Sequence, residues 1–177
     1  MSKKMTKILI IYSTTDGQTF LICEKIKSIL QKKNQVELVS INDIYGKNIS
    51  NFDSVIIGAS IRYGKHSSKV IDFVKKNKTV LSYKRTSFFT VNVVARKHEK
   101  NTPETNPYML KFLKKTNWEP NNKAVFAGKI DYPKYGFIDK QIIRFIMILT
   151  NGPTDTSKSY EFTDWSKVDQ FAREISE

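Results

Sequence analysis

The feature that most constrains this chain is a junction near its start. Residues 7–12 (KILIIY) pass directly into a hydroxyl-rich stretch, residues 13–19 (STTDGQT), and then into a helical stripe. The first segment is too short for a helix, and its β-branched and aromatic residues suit a strand covered on both faces. From Phe20 onward, Leu21, Ile22, Ile26, Ile29 and Leu30 recur at helical spacing, with Glu24, Lys25, Lys27 and Lys32 elsewhere. A strand buried on both faces needs helices above and below it, which predicts a layered α/β architecture.

The rest of the chain keeps this rhythm. Residues 35–40 (QVELVS) alternate like a strand, and residues 53–58 (DSVIIG), 87–92 (SFFTVN) and 123–130 (KAVFAGKI) read as three more strands. Residues 67–76 predict a helix with Val70, Ile71, Phe73 and Val74 inward. Thr102-Pro103-Glu104 predicts a helix start, a capping hydroxyl with proline in the first turn, running to about Thr116. Residues 164–175 predict a closing helix that buries Trp165, Val168, Phe171, Ala172 and Ile175. Alternation of this kind implies right-handed crossovers and a parallel sheet. Five strands suit the flavodoxin-like doubly wound order, with a ligand beyond the carboxyl ends of the strands. The expected organisation is a single domain over residues 1–177. A long insert at residues 131–158 interrupts the fifth-strand region, and a short strand near residues 159–162 is expected to resume the sheet.

Composition narrows the chemistry. Cys23 is the only cysteine and His66 and His98 the only histidines, so neither a disulfide framework nor a structural zinc site is expected. No run reaches the roughly 18 apolar residues of a membrane span. Residues 1–7 lack a secretory apolar core, so the expected location is cytoplasmic. The net charge is +13, and residues 62–115 hold 14 basic against 3 acidic residues. Such a field suits nucleic acid, an anionic membrane or an acidic small molecule. No recognition helix, RNP-like or zinc-finger pattern supports nucleic acid, so none is expected as partner.

The loop formed by Ser13, Thr14, Thr15, Asp16, Gly17, Gln18 and Thr19 lies between a strand and a helix amino terminus. Hydroxyls and free backbone N–H groups there suit a phosphate monoester without Lys or Arg. The stretch is neither a Walker loop nor a GxGxxG motif; the alternative is a loop that merely caps its helix. It resembles the hydroxyl loop of flavodoxins, which holds the FMN phosphate. A broader resemblance covers nearly the whole chain. Residues 13–19, 57–64 (IGASIRYG), 91–97 (VNVVARK), 100–106 (KNTPETN) and 163–174 (TDWSKVDQFARE), with Asp131-Tyr132-Pro133, look like the flavodoxin-type, menaquinone-dependent protoporphyrinogen IX dehydrogenase family of haem synthesis.

The resemblance implies FMN, protoporphyrinogen IX as electron donor and menaquinone or another quinone as acceptor. It also implies cofactor contacts from Ser60, Ile61, Arg62, Tyr63 and Gly64 after the third strand, and from Asn92, Val93, Val94, Ala95 and Arg96 after the fourth. Arg62, Arg96 and Lys97 are the expected grips for substrate propionates. No catalytic side chain is assigned, because flavin N5 can accept the hydride. Residues 135–150 (YGFIDKQIIRFIMILT) form a greasy helix with three open readings: a core helix, a contact in a homo-oligomer, or a peripheral anchor on the cytoplasmic side of the membrane. The rival to the enzyme is a flavodoxin-like electron carrier, or a quinone reductase without tetrapyrrole activity; carriers are typically acidic, which +13 opposes.

Overall fold

The computed structural model describes residues 5–176, so part of the 1–7 stretch lies outside the described residues. Strand β1 (Lys7–Ser13) lies inside a parallel sheet between β2 (Gln35–Ser40) and β3 (Ser54–Arg62). Next to β3 come β5 (Arg85–Asn92) and then β6 (Asn122–Ala127), which gives the order β2-β1-β3-β5-β6. This is the expected five-stranded doubly wound sheet. Strand alternation divides the core in two. Ile8, Ile10, Ile56 and Phe89 pack with α1 (Gln18–Leu30) and α6 (Trp165–Glu174). Leu9, Ile11, Val55, Ile57 and Phe88 pack on the opposite face with α2 (Ser68–Lys76) and α4 (Pro107–Thr116). Gly58 is required between the layers, because a Cβ there would collide with the ring of its cross-strand partner Phe89.

Several boundaries differ from the expectation. A short strand β4 (Lys65–His66) folds back antiparallel on β3 through a tight turn at Tyr63 and Gly64, whose φ angles are 48° and 71°. Such two-residue turns need left-handed backbone at both positions, which Gly64 adopts freely and Tyr63 does not. A short helix, α3 (Lys78–Ser82), follows α2. Helix α4 starts at Asn106-Pro107, not at Thr102-Pro103. The Asn106 side chain accepts from the N–H groups of Tyr108 and Met109 at 3.1 and 3.2 Å, while Thr102 pairs with Thr105 in a preceding turn.

The fifth strand is also divided. After Gly128 the chain leaves the sheet as β7 (Lys129–Asp131), pairing antiparallel with β8 (Ser159–Glu161) in a separate two-stranded ribbon. The switch occurs at Gly128, whose N–H still reaches Asn92 while its carbonyl accepts from Phe162. The returning strand therefore builds its own ribbon and does not resume the sheet. Between β7 and β8 runs helix α5 (Phe137–Leu149), which buries a single side chain, Met147, against Ile130 and Tyr132.

Candidate functional site

Three loops leave the carboxyl ends of β1, β3 and β5 on one rim, where parallel-sheet proteins hold their ligands. Together with α5 they enclose one cleft of about 910 Å³, its open mouth included. At its base, Gly17 caps α1 with a φ of 87° and its N–H donates to Thr14 Oγ1 at 3.0 Å. Thr14, Thr15, Asp16, Gln18 and Thr19 line this end. The Gln18 side chain is turned elsewhere, since its Nε2 donates to Thr163 at 2.8 Å and Glu161 at 3.1 Å. Thr19 is fully buried, and its Oγ1 has no hydrogen-bond partner among the described residues. A buried hydroxyl without a partner costs free energy unless a ligand supplies one.

The walls come from the other two loops. Ser60, Ile61, Arg62, Tyr63 and Gly64 form one, and Val91, Asn92, Val93 and Val94 the other. The turn after β5 is shaped by a buried polar chain. Asn92 Oδ1 accepts from the Ala95 N–H at 3.0 Å and from Asn106 at 3.2 Å, and Thr90 links Asn92 to His66, 2.9 Å away. Burial pushes the His66 imidazole down to about 4, so it sits neutral beneath Phe88 and Phe112. Ser13, Gly17, Ala95, Arg96 and Lys97 adjoin this region without lining the cleft.

The outer wall is absent from the expected set. Ile142, Ile143, Ile146 and Met147 of α5 face the loops, joined by Tyr108, Lys129 and Tyr135. Their i, i+1, i+4, i+5 spacing is a helical stripe, hidden in sequence because α5 is apolar on its outer side as well, with Lys140, Gln141 and Arg144 along one edge.

Both arginines expected at the substrate are engaged with this helix. Arg62 pairs with Asp139 in the first turn of α5 and with Asp16 at 3.4 Å, its guanidinium lying 5.0 Å from the Tyr63 ring centre and 5.7 Å from that of Tyr135. Tyr63 also donates to Asp139. Arg96 holds the opposite end, donating to the Thr150 carbonyl and hydroxyl at 2.9 Å each, where a cation complements the helix carboxyl terminus. Burial raises the Asp16 carboxyl above its usual range, against the pull of Arg62 and of the Tyr135 hydroxyl. Burial likewise pushes the Tyr135 phenol up to about 12.

A planar cofactor with a phosphate tail fits these residues: the Thr19 hydroxyl and the α1 amino terminus suit the phosphate, and the aliphatic walls suit a ring. The fold, the rim loops and this base define a flavodoxin-type protein, and the Flavodoxin domain family matches residues 9–157. Oxidised Flavodoxin 1 from Bacillus cereus shares the fold with a TM-score of 0.55 at 16% identity, covering 96% of this chain and 97% of that one. Protoporphyrinogen IX dehydrogenase [quinone] of Escherichia coli (strain K12) is 44% identical over 171 residues, 96% of this chain and 94% of that protein. The protein of the same name from Leishmania major is 41% identical over 178 residues, 99% of this chain and 77% of its own length. The chain belongs to the quinone-dependent protoporphyrinogen IX dehydrogenase family of oxidoreductases.

Proposed function

We propose that this protein is an FMN enzyme that oxidises protoporphyrinogen IX to protoporphyrin IX in haem synthesis and passes the electrons to a quinone, menaquinone in the first instance. The observation that carries the reading is the continuity of the cleft: a phosphate-type base opens without a break onto the aliphatic inner face of α5. When bound, FMN supplies the electron acceptor for the hydride. The chain's own residues do the rest. Thr14, Thr15, Thr19 and the α1 N–H groups hold the phosphate, Tyr63, Val93 and Val94 face the ring, and Ile142, Ile146 and Met147 exclude water.

The outward face of α5 supports a site of action at the cytoplasmic surface of a membrane. Phe137, Ile138, Phe145, Ile148 and Leu149 are each more than half exposed, flanked by Lys134, Lys140 and Arg144. Among the described residues no helix is long and apolar enough to cross a membrane. A 13-residue helix rises about 20 Å, short of the ~30 Å hydrocarbon core, so α5 lies in the interface plane. There it can collect two lipophilic substrates.

The test is an anaerobic assay of the FMN-loaded protein with protoporphyrinogen IX and a menaquinone analogue. Appearance of porphyrin fluorescence dependent on both FMN and quinone is the expected result. A flavin-loaded protein that leaves the porphyrinogen unchanged defeats the reading.

A further inference from the structure

The Arg62 cluster has the form of an occupied carboxylate site. One Asp139 oxygen takes an Arg62 Nη and the other takes the Tyr63 hydroxyl, so two donors converge on a single carboxylate at the cleft wall. Asp16 completes the surroundings only at 3.4 and 3.5 Å, the outer limit of hydrogen bonding. A guanidinium carries five N–H donors in a planar fork suited to a carboxylate, and two aromatic rings flank this one. Tyr63 is held for this purpose by a turn that places a non-glycine residue at a φ of 48°, a conformation that costs free energy and persists where the fold over-determines it.

The first turn of α5 is held to the domain chiefly through Asp139 itself. Phe137 and Ile138 are 79% and 72% exposed, whereas the far end is fixed by Met147 and by Arg96 on Thr150. Detaching the amino-terminal turn uncovers almost no apolar surface. We propose that Arg62 and Tyr63 form the recognition site for a carboxylate of the electron donor, and that Asp139 occupies it as an internal competitor which the donor displaces. The ligand class is a bulky apolar molecule bearing a flexible carboxylate: the body lies against Ile142 and Ile146, and the carboxylate takes the place of Asp139. The exchange opens the amino-terminal edge of α5 as the donor enters. A quinone, with no carboxylate, neither needs nor causes the exchange. The inference rests on the donor proposed above, since a tetrapyrrole with propionates is a member of this class.

The experiment compares binding of protoporphyrin IX and its dimethyl ester to the FMN-loaded protein by fluorescence, with Michaelis constants for donor and quinone measured alongside. Wild-type protein is expected to prefer the free acid. Asp139→Asn should tighten free-acid binding about tenfold without affecting the ester, the order expected for removing a charged competitor. Arg62→Gln should erase the preference and Arg62→Lys should restore part of it, while Asp139→Asn should leave the quinone Michaelis constant within about twofold. Asp139→Asn alone decides the matter should Arg62→Gln fail to fold. An acid-to-ester ratio that is the same in wild type and Asp139→Asn overturns the exchange while leaving the enzyme reading intact. A wild-type protein that neither binds protoporphyrin IX nor oxidises its reduced form overturns both.

Discussion

The parallel sheet and helix α5 are held by different forces. In the sheet, β1, β3 and β5 are buried on both faces, and Phe88, Phe112 and Trp118 interlock beneath them, the first two stacked 4.1 Å apart. Helix α5 buries Met147 and fastens its two ends with Arg62 and Arg96. Apolar burial grows with the area removed from water, while partly exposed ion pairs contribute little. The fold therefore rests on the sheet, and α5 is a covering that adds little to its stability.

The largest effect that would break this contrast lies in the core. Phe112→Ala should cost about 3–5 kcal/mol in denaturant unfolding, while Phe145→Ala on α5 should stay within about 0.5 kcal/mol; equal losses would remove the distinction. The next is a pH effect. His66 is neutral in the fold down to about 4 but titrates near 6.5 when unfolded. Between those values the unfolded chain binds the extra proton, so its contribution is complete above pH 6.5 and is lost as pH falls toward 4, by about 3 kcal/mol. His66→Gln should flatten that slope in pH-dependent melting. Smaller again, Thr19→Val should weaken FMN about tenfold or more in a titration, the loss of a hydrogen bond to a charged group being about 1.5–3 kcal/mol. The cofactor-free protein should be no less stable, because that hydroxyl has no partner among the described residues. Last, replacing Ile138 and Phe145 with Ser should leave melting unchanged yet reduce binding to anionic vesicles about tenfold, a flotation assay serving as the readout.

The same contrast explains what could be read in advance. Strands β1, β3 and β5 were legible because each carries a buried apolar run, β2 because its residues alternate, and Ile8 to Ile11 sort onto two faces by simple alternation. Helix starts were less so. Thr102-Pro103 and Asn106-Pro107 offer nearly equal local signals, and the choice falls to Asn106 because its side chain also reaches Asn92, fourteen residues away. Gly128 gave no sign that it ends the sheet, since the hydrogen bonds that divert the chain come from Phe162. At the site, the three rim loops were legible from their place after strands. The roles of Arg62 and Arg96 were not. Sequence shows a charge but not its counter-charge, and both guanidinium groups turn out to be committed to α5. The inner stripe of α5 was invisible because polarity does not distinguish its two sides.

The near-absence of burial along α5 separates two properties that most proteins keep entangled. Phe137, Ile138, Phe145, Ile148 and Leu149 lie outside the described core clusters, so their identities can change with little effect on the packing of the domain. The cleft is lined by the rim loops and the inner stripe of that helix, so its outer face can vary without altering the lining.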